Sequence, residues 1–384
     1  MKMQKAFRMI LSGLLALLIT VLPLGAGSES DVRILFINVG KADAILITDG
    51  ARHYLVDSGE KASAPRLIGA LNVMGVTALN GVFLTHTHSD HIGGMDALAR
   101  NFQIGTLYSA EITELTKKGK NKFEEMAAEL SLDLRKLTAR EAIELSNSIH
   151  AEIIGPLVPS QDDDNDNSLV LRITANGKTL LLTGDMQFAE EATLLQNGLT
   201  VSADVIKVGN HGNPDATSNQ FARAVSPQIA VITTDTSVDA DSANSRVLSA
   251  LSGSQIYITE DFPIGVLLDI QPGGEIKVSD PYVSHESSGL KIAELDKSAQ
   301  TVTLINEGSR MDISGYMIFS EKGGELYIFP EGTMMDQGQP VRLAAGSKNG
   351  DFIWTGEDKP WNQKKSDTAI LYDRYGREVS RIEN

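Results

Sequence analysis

The chain has 384 residues, no cysteine, and 50 Asp and Glu against 34 Lys and Arg, a formal net charge of −16. That balance excludes nucleic-acid binding driven by a broad basic surface, which needs clustered Lys and Arg to release counterions. The missing cysteines exclude disulfides and thiol catalysis, and a hydrophobic fraction of 42% marks a globular chain. Residues 1–27 read as a secretory signal: Lys2, Lys5 and Arg8 precede an apolar run over 9–24, and Gly25-Ala26-Gly27 offers a small-residue exit. The run is short for a membrane span and Pro23 suits cleavage; an uncleaved N-terminal anchor is the alternative. No later segment reads as a transmembrane span, so the expectation is a secreted or extracytoplasmic protein.

Short apolar strands at 32–37, 44–48 and 54–56 are followed by a helix at 64–74, with Leu67, Leu71 and Met74 at helical spacing. A strand at 81–84, a helix at 95–102 and a strand at 106–109 continue the alternation, and the charged stretch 111–140 is expected to be mostly helical. Further strands fall at 149–154, 168–174, 179–182, 205–208, 229–233 and 255–258, with Asn176-Gly177 as a tight hairpin turn. Helical stretches near 188–195 and 244–251 separate them. The acidic segment 161–167 is read as a solvated loop. Strands and helices mixed in both halves predict an α/β fold in which sheets are sandwiched by helices. Residues 281–289 are polar and turn-rich, a linker, and beyond them short strands at near-regular spacing predict a small all-β sandwich over 290–384.

Thr85-His86-Thr87-His88-Ser89-Asp90-His91-Ile92-Gly93-Gly94 carries the strongest chemical signal. Three of the seven histidines fall within six residues, with an aspartate among them, directly after an apolar strand. A tight turn at a strand end lets such side chains converge, and imidazole with carboxylate suits Zn²⁺ or Mn²⁺. An isolated histidine would be an ordinary core residue; this density is not explained that way. No serine sits in a Gly-x-Ser-x-Gly elbow, so a covalent serine route has no support.

This decapeptide resembles the first metal motif of the metallo-β-lactamase superfamily, whose fold is an αββα sandwich. Phe36-Ile37-Asn38-Val39-Gly40-Lys41-Ala42-Asp43, Val56-Asp57-Ser58-Gly59, Asn167-Ser168-Leu169-Val170-Leu171, Leu181-Leu182-Thr183-Gly184-Asp185 and Lys207-Val208-Gly209-Asn210-His211-Gly212 resemble, in order, the hydrolase domain of the ComEC DNA-uptake family. The resemblance covers about residues 30–280. It implies one or two divalent ions, Zn or Mn, with His86 and His88 at one position, Asp90, His91 and His211 at the other, and Asp185 between them. Asp90 and Asp185 would be the catalytic carboxylates. The third histidine ligand of many superfamily members has no counterpart; Asn167 is the polar residue nearest that place. Asn210 stands where the family pattern has a histidine, and Lys41 where it has a glutamine. Asn167 and Asn210 are therefore expected as substitute ligands or substrate-side groups.

Val302-Thr303-Leu304-Ile305-Asn306-Glu307-Gly308, Asp312-Ile313-Ser314-Gly315-Tyr316, Tyr327-Ile328-Phe329-Pro330, Trp361-Asn362 and Asp367-Thr368-Ala369-Ile370-Leu371-Tyr372-Asp373 resemble a lamin-tail domain, an immunoglobulin-like fold without catalytic chemistry. That resemblance implies contact with nucleic acid or the cell envelope. Domain limits follow as 28–280 for the hydrolase-like part and 290–384 for the tail. The functional expectation is an exported metal-dependent hydrolase that cleaves phosphodiester bonds, extracellular DNA among them, through a metal-activated hydroxide. A hydrolase of small esters, lactones or β-lactams is the second reading. The third is a non-catalytic envelope or nucleic-acid binding protein on a decayed hydrolase scaffold.

Overall fold

The computed structural model describes residues 31–113, 115, 119–161, 163–283, 289–346 and 349–384. The segment read as a signal and residues 284–288 of the linker lie outside them. Among the described residues no helix is long and apolar enough to cross a membrane. Residues 31–283 form two sheets face to face with helices on both outer sides. The first sheet has eight strands, running from Ile276–Ser279 at one edge to Asp133–Leu137 at the other; the second has seven. Side chains from both inner faces, among them Ile34, Phe36, Phe83, Leu171, Leu182 and Val231, make one buried layer between the sheets. The helices Ala64–Val73 and Met95–Asn101 cover the outer face of the first sheet, and Phe188–Gln196, Asn219–Val225 and Ser245–Ala250 that of the second. This is the expected αββα sandwich.

Three stretches depart from the sequence reading. Among its described residues the segment 111–140 holds one short helix, Lys122–Leu130. Ser131 then turns into the left-handed region at φ 56°, and Asp133–Leu137 joins the sheet parallel to Gln103–Ala110. Leu134 packs on the helix side of the sheet and Leu137 in the layer between the sheets, while Asp133, Arg135 and Lys136 are exposed, so the strand carries no alternating pattern. The hairpin Gly265–Ile270 and Ile276–Ser279, absent from the sequence reading, pairs antiparallel with the first strand, Val32–Ile37. The acidic segment was also misread as solvated. Asp164, Asn165, Asp166 and Asn167 are all buried, and the side-chain oxygens of Asp164, Asp166 and Asn167 accept bonds from neighbouring N–H and O–H groups. Asp164 takes the amide and hydroxyl of Thr87, both at 2.8 Å, and Asp166 takes the amide of Gln187 at 2.9 Å.

From Leu290 onward short strands build two four-stranded sheets and a two-stranded ribbon around a separate core. Trp361 belongs to that core, 1% exposed and packed edge-on against Trp354, so it cannot serve as an exposed stacking platform beside Lys359, Lys364 and Lys365. The sandwich also touches the helix Ala64–Val73. Met317 is buried among Leu67, Leu71 and their neighbours, and Asn72 donates to the Arg374 carbonyl at 2.8 Å.

Candidate metal centre

Every side chain of the centre projects from the end of a strand. The strand Ala78–Leu84 runs parallel to its neighbours His53–Val56 and Gln103–Ala110, and Thr85 follows it at once. The amide and hydroxyl of Thr85 both donate to the Asp57 carboxylate, at 2.8 and 2.7 Å, which pins the start of the histidine loop. The one-turn helix Ser89–Ile92 then presents Asp90 and His91. Gly94 is obligatory there, since a Cβ on it would lie 2.2 Å from the Ser58 carbonyl. In the second sheet the parallel strands Lys178–Leu182 and Val205–Lys207 end beside each other and deliver Asp185 and His211. Gly184 turns the chain at φ +52°, where a Cβ would press on the Ser168 side chain. Asn210 and His211 themselves adopt left-handed backbone, at φ 45° and 53°.

These turns bring Asp90, His91, Asp185 and His211 together, with one ligand atom of each lying within 4.8 Å of the others. Nε2 of His91 and Nε2 of His211 stand 3.2 and 3.1 Å from Asp185 Oδ2, and His211 Nε2 stands 3.5 Å from Asp90 Oδ2. Both imidazole nitrogens are buried and make no well-aligned hydrogen bond, facing the Asp185 carboxylate only at ion-pair distance. Buried polar atoms left so are rare unless something else binds them. The opposite ring nitrogens are anchored: His91 Nδ1 lies 2.7 Å from Asp57 Oδ2, and His211 Nδ1 lies 2.7 Å from the Thr233 carbonyl oxygen. Histidines that ligate a metal are oriented in this way. The four residues therefore fit a divalent cation by donor type, convergence and backing.

His86 and His88 form a different arrangement. His86 Nε2 and His88 Nδ1 approach to 3.0 Å, and the His86 ring packs 4.1 Å from that of His91, centroid to centroid. Behind His86 are hydroxyls, Thr85 Oγ1 at 3.1 Å and Ser168 Oγ at 3.4 Å from Nδ1. His88 is exposed at the mouth. Neither asparagine joins the cluster as expected. Asn167 Oδ1 accepts the Ser160 amide at 2.8 Å and its Nδ2 donates to Asp164 at 3.1 Å, so it closes the acidic turn. Asn210 Nδ2 donates to Asp215 at 2.9 Å. Ser168, besides backing His86, accepts the Asp185 amide on its hydroxyl at 3.0 Å.

Sequence reasoning gave no role to Lys207, Asp43, Asp57 or Thr233. Lys207 is fully buried, with Nζ 2.6 Å from Asp43 Oδ2, 3.3 Å from Asp185 Oδ1 and 2.8 Å from the Gly184 carbonyl. Thr233 donates its hydroxyl to Asp43. The available signal was a lysine inside the apolar run 205–208. Charges in this buried cluster decide each other. Burial opposes ionisation of Asp185, but His211, His91 and Lys207 outweigh it and hold the carboxyl well below its usual range. Burial likewise opposes charge on His91, and Asp185 and Asp57 outweigh it, raising His91 well above an ordinary imidazole. His86 goes the other way, pushed well below by burial and by His91. Asp90 is lowered because His211 and His91 overcome its desolvation.

The family model described as the metallo-beta-lactamase superfamily matches residues 37–234, and that of the lamin tail domain matches residues 284–384. The chain is 30% identical over 205 residues to competence protein ComA of Neisseria gonorrhoeae, covering 53% of this chain and 27% of that protein. It is 24% identical over 251 residues to ComE operon protein 3 of Bacillus subtilis, covering 60% of this chain and 32% of that one. The chain thus spans only about a third or less of these curated relatives. Among solved structures, the metallo-beta-lactamase fold protein YhfI of Bacillus subtilis aligns with 62% of this chain and 100% of its own, at 14% identity and a TM-score of 0.43. With more than half of its length under the superfamily's model, the chain belongs to the metallo-beta-lactamase superfamily and carries a lamin tail domain after it.

Proposed function

We propose that the protein is an extracytoplasmic metal-dependent phosphodiesterase, with single-stranded nucleic acid as one substrate. The observation that carries the reading is the pair of buried, unbonded imidazole nitrogens of His91 and His211, aimed with Asp90 at one oxygen of Asp185. Asp90, His91, Asp185 and His211 would hold a Zn or Mn ion, and His86 with His88 would supply two nitrogens to a second. A divalent ion at such a site polarises the scissile group and makes water acidic enough to attack near neutral pH. The chain's own residues set the stage for that chemistry. Asp57 and the Thr233 carbonyl fix the imidazole orientations, Lys207 fixes Asp185, and the packed strands below exclude water from the floor.

A phosphodiester is favoured over a neutral ester by the order of motifs shared with relatives named for competence. The acidic surface does not oppose it, because a bound cation neutralises phosphate locally. The lamin tail domain is assigned contact with nucleic acid or envelope material through surfaces other than Trp361. The test is hydrolysis of labelled single-stranded DNA and bis(p-nitrophenyl) phosphate by the full chain loaded with Zn²⁺ or Mn²⁺. Asp185→Asn should lower cleavage of both by at least about a hundredfold, since it removes a ligand charge. Hydrolysis of a lactone or β-lactam with no cleavage of either phosphodiester would replace the substrate class.

A further inference from the structure

Two lysines hold the two carboxylates of the four-residue set, from opposite sides. Lys207 reaches Asp185 from the sealed floor, with no exposed side-chain surface. Lys41 reaches Asp90 from the mouth: its Nζ lies 3.2 Å from Asp90 Oδ2, and the two side chains are 24% and 15% exposed. The mouth is the accessible side, for His88 and Ser89 are exposed there while His91, His211 and Asp185 are sealed.

The turn that carries Lys41 is fixed rather than loose. Asn38 Nδ2 donates to the Phe262 carbonyl at 2.9 Å, Gly40 takes φ +84°, and the Asp43 amide donates to the Asp90 carbonyl at 3.1 Å. Its ammonium therefore stands beside the metal position with its stem anchored. Among the described residues a second lysine near the mouth, Lys122, is committed to the Thr87 carbonyl at 2.5 Å. Lys41 is a partly exposed cation beside a ligand carboxylate, in a protein whose net charge is −16.

We infer that Lys41 is the substrate-anion residue of this site: its ammonium takes a non-bridging oxygen of a substrate held at the metal position and thereby selects an anionic ester over a neutral one. The inference rests on the phosphodiester reading and sharpens it to a named residue. An ammonium offers three donors and a point charge suited to a phosphate oxygen. Asp90 shares the charge in the free protein, and a cation at the four-residue set would take over the Asp90 oxygen and leave Lys41 turned to the substrate.

The experiment compares the full chain with Lys41→Gln and Lys41→Arg, each loaded with Zn²⁺ and assayed for bound metal. Bis(p-nitrophenyl) phosphate is the anionic probe and p-nitrophenyl acetate the neutral one. The ratio of their kcat/KM values should fall about ten- to a hundredfold in Lys41→Gln, the scale of one hydrogen bond to a charged group, and recover in large part in Lys41→Arg. A ratio unchanged in Lys41→Gln overturns the inference. Inorganic phosphate binding, followed by calorimetry on the same metal-loaded proteins, reads Lys41 without turnover. Weaker phosphate binding by a similar factor in Lys41→Gln supports the assignment even if the wild type cleaves no phosphodiester, which would defeat only the broader reading. Equal phosphate affinity in wild type and Lys41→Gln removes Lys41 from anion recognition.

Discussion

The two ligand positions, a few ångströms apart, are built on opposite principles. Around Asp90, His91, Asp185 and His211, three of the four groups have a charged or strongly polar support behind them: Asp57 behind His91, the Thr233 carbonyl behind His211, Lys207 behind Asp185. Around His86 and His88 the supports are hydroxyls, Thr85 and Ser168, and one of the two imidazoles stands in solvent. A carboxylate behind an imidazole raises its basicity and fixes its tautomer, whereas a hydroxyl does so more weakly. The difference teaches that the number of histidines is a poor guide to where a cation binds most tightly. The histidine-rich side is therefore expected to be the weaker one.

The largest effect expected from this contrast is at Lys207. Replacing it by Met leaves Asp43 and Asp185 as buried carboxylates without their ammonium, and removing one partner of such a buried group costs about 3–5 kcal/mol. Denaturant unfolding of metal-free Lys207→Met should show that loss, and added Zn²⁺ should recover part of it, because a cation replaces the missing charge. Equal stability of the variant would mean that Lys207 does not compensate the cluster.

A smaller effect is expected at Asp57. Asp57→Asn keeps the shape but weakens the support of His91, so Zn²⁺ affinity should fall about ten- to a hundredfold in a chelator competition. The matching change on the other side, Ser168→Ala, should move the affinity of the first ion by less. Similar losses in both variants would erase the contrast between the two positions.

A third effect is a pH dependence in the helix Phe188–Gln196. Glu190 sits in the helix capped by Asp166 and is raised to about 7 by burial, with Asp166 adding to the shift and the Leu157 amide opposing it. A carboxyl whose folded value is raised stabilises the fold at low pH, and this contribution is lost as pH rises from its unfolded value through about 7. Glu190→Gln should therefore stabilise the protein by up to about 3 kcal/mol at pH 8 and by little at pH 4. Thermal melts at both pH values check the sign; equal shifts at the two would show that Glu190 is not protonated in the native state.

Much of this was legible in the chain, and the limits have physical reasons. The strand-helix alternation and the cluster from His86 to His91 stand out because period and density are local properties. Asp185 and His211 were found by motif order, since a Thr-Gly-Asp or a lone histidine says nothing until two strands end side by side. Lys207 and Asp43 are ordinary residues in sequence, and their roles arise only where the two sheets meet. Asn167 and Asn210 misled because proximity in sequence to a missing ligand is not proximity in space. The first bonds Ser160 and Asp164, and the second bonds Asp215. The strand Asp133–Leu137 was hidden by its exposed charges, Asp133, Arg135 and Lys136, which leave a single leucine to mark each face.

The central claim is that the tightest cation position is Asp90, His91, Asp185 and His211. Its most direct test is the metal content of dialysed wild type, His88→Ala and His211→Ala after loading with Zn²⁺, read by elemental analysis beside a circular dichroism check of folding. The account predicts that His88→Ala retains one ion per chain and folded His211→Ala retains almost none. Retention by His211→Ala together with loss in His88→Ala would place the cation on the histidine pair and contradict it.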